Sequence, residues 1–154
     1  MKRVRLFLVS TCALALLAAA HGATARDTTV ADLRIVHAYA RATPPGARTA
    51  AAYLTIESTG AAPDRLLGAR SAKAAAVELH AMAHEGGMMR MRAVPHVDVP
   101  PRGSVRLEPG GLHLMIVDPR TPLRAGEPFP VTLTFARAGS VDVELDVEPL
   151  VSGK

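Results

Sequence analysis

His113 and Met115 stand two residues apart in "GGLHLMIVDP" (110–119), an apolar stretch that reads as a strand. Alternation sends residues i and i+2 to one face, so Leu112, Leu114 and Ile116 share one side and His113, Met115 and Val117 share the other. The leucine side has an evident use as core. An imidazole beside a thioether on the opposite side asks for a different one. A denser group of the same residue types lies upstream in "LHAMAHEGGMMRMRAVPH" (79–96), which holds His80, Met82, His84, Met88, Met89, Met91 and His96. Thioether sulfur and neutral imidazole suit Cu(I), a soft ion content with a compact shell of few ligands. Thioethers need lose no proton to bind, and they cannot be cross-linked into disulfides in an oxidising compartment. Zn²⁺ and Ca²⁺ fit less well, because no set of carboxylates or thiolates accompanies these histidines.

The same residues also have plain structural uses. Methionine fills gaps in cores, and Met89, Met91 and Ala93 share a strand face opposite Arg90 and Arg92, so Met91 serves equally well as core. His84 and His96 sit in or beside turns, where solvation is expected. His37 shares its predicted strand face with Leu33, Ile35 and Tyr39 and reads as a satisfied, partly buried histidine. Met82, Met88 and Met89 are either auxiliary to a metal site or merely local to it.

The elements that must position these residues are short strands at 33–40, 49–58, 65–70, 76–82, 88–94, 104–108, 112–117, 130–136 and 141–147. Between them lie "TPPGA", "TGAAPD", "HEGG", "VPPRG", "EPGG", "RAGEP" and "RAG", each rich in turn-forming residues. Such spacing predicts one antiparallel β-sandwich or barrel of Greek-key type, and 154 residues suffice for its core. "AKAAAVEL" has the composition of a helical turn, but too few periodic apolar positions follow it. In the last strand Val141, Val143, Leu145 and Val147 alternate with Asp142, Glu144 and Asp146, giving one packed and one solvated face.

Residues 1–25 form a secretory signal peptide by pattern: Lys2, Arg3 and Arg5, an apolar run over 6–20, then small residues. Cleavage after Ala23-Thr24-Ala25 leaves Arg26 first. Cleavage after Ala20 instead exposes His21, whose amine and ring together suit Cu(II). Cys12, the single cysteine, departs with the leader. Thr11 before it and apolar sequence after it argue against a lipoprotein cleavage site there. A mature chain without a thiol excludes disulfides, zinc–thiolate sites, a cysteine nucleophile and a cysteine-ligated blue-copper centre. The leader carries three of the 18 Lys+Arg and none of the 14 Asp+Glu, so a formal +4 becomes 15 basic against 14 acidic residues. With no basic patch interleaved with aromatics, nucleic acid is not an expected partner, and after cleavage no segment is long enough for stable membrane insertion. No serine, histidine and carboxylate arrangement stands out, so an enzyme is not expected.

His80, ten residues, Met91, twenty-one residues, then His113-Leu114-Met115 resembles the H-x10-M-x21-H-x-M signature of the periplasmic PCuAC copper chaperones. "ARATPPGARTAAAYLTIESTG" (40–60), "VELHAM" (77–82), "MMRMRAV" (88–94), "LEPGGLHLM" (107–115) and "PVTLTFARAGSVDVELDV" (130–147) are similar to that family too, so the resemblance covers roughly residues 30–148. It implies a single-domain, all-β, cupredoxin-like Greek-key sandwich over 26–148, followed by a short tail at 149–154. It implies one Cu(I) per chain held by His80, Met91, His113 and Met115, and a monomer working in the periplasm. It further implies delivery of copper toward the CuA centre of cytochrome c oxidase, either directly to subunit II or with a Sco-type thioredoxin-fold metallochaperone. The tail lacks the His/Met-rich extension that some relatives associate with Cu(II), and Tyr39 stands where relatives often have tryptophan. Two rival readings are a copper buffer or resistance protein without an oxidase client and a metal-free Ig-like interaction module. Alternation does not by itself turn Met91 toward His113, so a bulge near "HEGGMM" is expected.

Overall fold

A computed structural model describes residues 27–150; the leader read over 1–25, with Cys12 and His21, lies outside the described residues. Eleven strands follow in chain order: β1 Thr28–Val30, β2 Leu33–Arg41, β3 Thr49–Ser58, β4 Asp64–Arg70, β5 Ala74–Glu85, β6 Met88–Ala93, β7 Val97–Val99, β8 Ser104–Leu107, β9 Leu112–Pro119, β10 Pro128–Phe135 and β11 Gly139–Glu148. All nine strands expected from the sequence are present. The two additions, β1 and β7, have three residues each, too few for alternation to show in a sequence. No helix occurs among the described residues. The "AKAAAVEL" stretch enters β5, whose Val77 and Leu79 alternate into the core.

The strands close on themselves. From β2 the hydrogen-bonded order runs through β11, β10, β4, β5, β9 and β3, and β3 pairs with β2 again. The β4–β5 seam rests on a single bridge, Ala69 opposite Val77, so the ring is a flattened barrel whose two walls pack as a sandwich. Its interior holds Ile35, Leu54, Ile56, Leu66, Leu114, Ile116, Leu133 and Leu145, each almost wholly removed from water; burial of such a side chain contributes about 1.5–3 kcal/mol. The fold is all-β and a single domain, as expected. One pairing departs from the antiparallel expectation: β11 runs parallel to β2, with Asp146 opposite Tyr39 and Val147 opposite Ala40. Pairing between strands a hundred residues apart leaves no trace in local patterning.

His37 requires a correction. It is exposed rather than partly buried, because β2 is irregular against β3 between Val36 and Tyr39. Ile35 and Val36 are both buried, His37 turns outward at φ 51°, and burial resumes at Ala38 and Ala40. An extra residue in one strand reverses the alternation beyond it, so the face assigned to His37 by simple counting is the wrong one.

Candidate metal centre

The residues of interest gather on the outer face of one wall. Beyond its bridge to β4, the edge of β5 is taken up by β6 through a hairpin whose two turn residues are Gly86 and Gly87, at φ 59° and 80°. Two consecutive positive φ values mark the tight turn that matches strand twist, and glycine adopts them without Cβ strain. Pairing is unbroken from Glu85 opposite Met88 to His80 opposite Ala93. No bulge is therefore needed: Met91 lies directly opposite Met82 and shares the face of His80. Nor is Met91 core. It is 46% exposed, because β6 pairs only with β5 and every residue in it is exposed.

On the other side of β5, β9 places His113 opposite His80 and Met115 opposite Glu78. Strand β3 then sets the small Ala51 opposite Met115. A bulkier residue there would fill the space; instead Met82, Met91, His113 and Met115 line one shallow, open depression with Thr49, Ala51, Tyr53 and Gly110. The core face of β9 is Leu114 and Ile116, both at 0% exposure, so the division of faces expected from alternation holds. His113 is nevertheless buried too, at 6%, on the side away from the core.

Hydrogen bonds fix the tautomers of both imidazoles. Pro109 and Gly110 form a turn closed by the Gly111 N–H donating to the Glu108 carbonyl at 3.0 Å, with Gly110 at φ 81° as a type II turn requires. This turn presents the Gly111 carbonyl, which accepts from the Met82 N–H at 3.1 Å and from His113 Nδ1 at 3.1 Å. A carbonyl only accepts, so Nδ1 carries the proton and Nε2 keeps its lone pair. In His80 the roles reverse: Nε2 donates to Glu78 Oε2 at 2.9 Å, leaving the lone pair on Nδ1. That Nδ1 is buried without a hydrogen-bond partner, the one such side-chain nitrogen or oxygen among the described residues. Its ring centroid is 5.8 Å from that of His113, with the planes at 55°.

Leaving a buried acceptor unsatisfied costs about 1–3 kcal/mol, and a Lewis-acidic ion accepting the lone pair removes that cost. Among the described residues no three His, Cys, Asp or Glu side chains are placed to hold a metal ion. Met82, Met91 and Met115 on the same face offer thioether donors beside the two imidazoles, a donor type that favours soft ions. The four residues singled out in the sequence thus share one face: His113 and Met115 on β9, His80 on β5, and Met91 on β6.

Sequence reasoning missed Ala51 and Tyr53. Their alternation with buried Ala50, Ala52 and Leu54 was visible, but not that β3 lies beside β9. Tyr53 packs against Tyr39 with centroids 5.1 Å apart, so the position noted for Tyr39 lies one ring behind the depression. Burial pushes the Tyr53 hydroxyl above its ordinary pKa and the neighbouring Tyr39 adds to this, against the opposing charge of Arg41. His84 and Met89 face one another at the hairpin tip on the same outer face, whereas Met88 points to the other. His96 is partly exposed with Nε2 3.5 Å from Asp98 and does not line the depression.

A family model described as "Putative lipoprotein LpqE-like" matches residues 33–147. A curated relative, a putative lipoprotein of Leifsonia xyli subsp. xyli, is 30% identical over 104 residues, covering 67% of this chain and 63% of its own length; the chain spans less than two thirds of that relative. Among solved structures, the copper-bound PCuAC domain from PmoF2 is 28% identical with a TM-score of 0.69, covering 81% of this chain and 99% of that domain. The Cu(I) form of DR1885 from Deinococcus radiodurans is 32% identical with a TM-score of 0.63, covering 88% of this chain and 89% of that one.

Proposed function

The chain belongs to the LpqE-like family, and we propose that it is an exported carrier of one Cu(I), held by His80, Met91, His113 and Met115 and surrendered to a protein partner. The observation that carries this reading is the buried, unpartnered Nδ1 of His80 beside a second imidazole whose Nε2 lone pair is free. Two thioethers on the same face complete a soft, uncharged donor set. Copper-bound forms of similar domains, from PmoF2 and from Deinococcus radiodurans, support the same assignment.

Copper here is cargo. The four donors are graded in burial: His113 is 6% exposed and Met91 46%, with His80 and Met115 between. Exchange with an incoming partner therefore starts at Met91, the donor on the edge hairpin that water and protein reach most easily. Anionic thiolates of a partner bind Cu(I) more strongly than neutral thioethers, so replacement of Met91 leads to stepwise release of the rest. A Sco-type metallochaperone or cytochrome c oxidase subunit II is the partner we propose, and the CuA centre the destination. The family's description as lipoproteins supports export, and we place the mature chain in the periplasm.

The test is a Cu(I) titration of the mature chain against a competing chelator, beside His113→Ala/Met115→Ala. The reading expects a tight equivalent in the wild type that is absent from the variant. Equal binding in both would remove the site. Mixing two equivalents of the loaded chain with a thiol-reduced, copper-free subunit II domain, then adding a one-electron oxidant, tests the client: a mixed-valence CuA spectrum supports delivery, and retention of copper by the carrier favours a buffer.

A further inference from the structure

The ladder of soft donors does not end at the depression. Passing outward along the hairpin, Met82 stands opposite Met91, and the next pair on the same face is His84 opposite Met89. Directly opposed residues of an antiparallel pair bring their Cβ atoms to about 4.5–5.5 Å. Successive rows on one face are about 7 Å apart, two residues of strand rise, and the unbranched methionine side chain has three rotatable bonds with which to reach between rows. Gly86 and Gly87 fix the hairpin register, so the opposition of His84 and Met89 is built in. Both residues are exposed, Met89 at 45%, and neither contributes to the core. Met88, 58% exposed on the same hairpin, occupies the opposite face and so lies off the ladder.

We propose that His84 and Met89, with Met82 as a third donor reaching from the next row, form a second, weaker and solvent-exposed Cu(I) site at the hairpin tip. An imidazole and a thioether facing each other satisfy an ion that accepts low coordination. Met82 lines the open depression as well, so copper landing at the tip is one row from the carrier site. The proposal rests on the Cu(I) reading of that site and adds a point of entry to it.

The experiment is an anaerobic Cu(I) titration with ascorbate and a chelator of graded strength, on the mature wild type, His84→Ala/Met89→Leu and Met88→Leu. The substituted positions are exposed, and circular dichroism of each variant checks that the sheet is retained. The expected result is a tight and a weaker equivalent in the wild type. The tip variant weakens the second by at least about tenfold and keeps the first, and Met88→Leu keeps both. A wild type with only the tight equivalent, or a second one that survives the tip substitutions or falls equally with Met88→Leu, would overturn the tip site. A wild type retaining only a weaker equivalent, itself lost in the tip variant, would overturn the carrier site and leave the tip site standing.

Discussion

Asp64 and His80 both bury polar atoms in this sandwich, and the chain treats them in opposite ways. Asp64, 7% exposed, opens β4 and receives the N–H groups of Arg65 at 2.7 Å, Arg137 at 2.9 Å and Ala138 at 3.0 Å. Its carboxylate ties the start of β4 to the β10–β11 turn, and the chain itself supplies the partners. His80 has one nitrogen held by Glu78 and the other buried with none. A polar group satisfied from within is architecture. One oriented on one side and left without a partner on the other costs the fold free energy, and in the proposed carrier it is the group that binds copper.

The largest effect on this contrast should come from Asp64→Ala. It strands three backbone N–H groups and should cost about 3 kcal/mol of stability in urea unfolding, while Cu(I) affinity stays unchanged. His80→Leu should do the reverse: affinity falls about a hundredfold, near 2.7 kcal/mol, yet the apo protein unfolds at an equal or higher urea concentration because the unsatisfied nitrogen is gone. Apo destabilisation by His80→Leu comparable to that of Asp64→Ala would erase the distinction.

Smaller changes sharpen it. Glu78→Ala frees the His80 ring and should lower Cu(I) affinity by about tenfold, the scale on which partners of metal-ligating histidines act. Met91→Leu nearly preserves volume at an exposed position, so stability should move by less than about 0.5 kcal/mol while chelator competition shows weaker copper binding. A large stability loss with unchanged affinity would return Met91 to a packing role.

The smallest effect is that of pH on Asp64. Burial raises its carboxyl pKa, but the three N–H groups and the charge of Arg137 outweigh this and hold it below the ordinary 3.8. A depressed folded pKa contributes stability that is present above the unfolded value and lost as pH falls through the folded one. Acid unfolding curves of the wild type should therefore show a loss below about pH 4 that is diminished in Asp64→Asn.

The sequence made most of the strands legible, because apolar and polar residues alternate through β11, β9 is a short apolar run, and glycine or proline marks the turns between strands. It also divided β9 correctly into a Leu114/Ile116 face and a His113/Met115 face. What it could not disclose depended on pairing across long separations: the parallel contact of β11 with β2, the placement of Ala51 beside Met115, and the edge position of β6. Met91 looked equally suited to core because alternation fixes which residues share a face, not whether a second layer covers it. His37 was misplaced for a related reason, since one bulge reversed the parity that counting assumed. The orphaned Nδ1 of His80 was out of reach of any pattern. It arises from the meeting of a ring, the Glu78 carboxylate and a neighbouring strand.

The most direct test of the four-donor site is X-ray absorption at the copper edge of the chain loaded with a single Cu(I) equivalent. The four-donor site gives a shell of two nitrogen and two sulfur scatterers, losing one sulfur in Met91→Leu. A shell of nitrogen and oxygen alone, or one unchanged by that substitution, would contradict it.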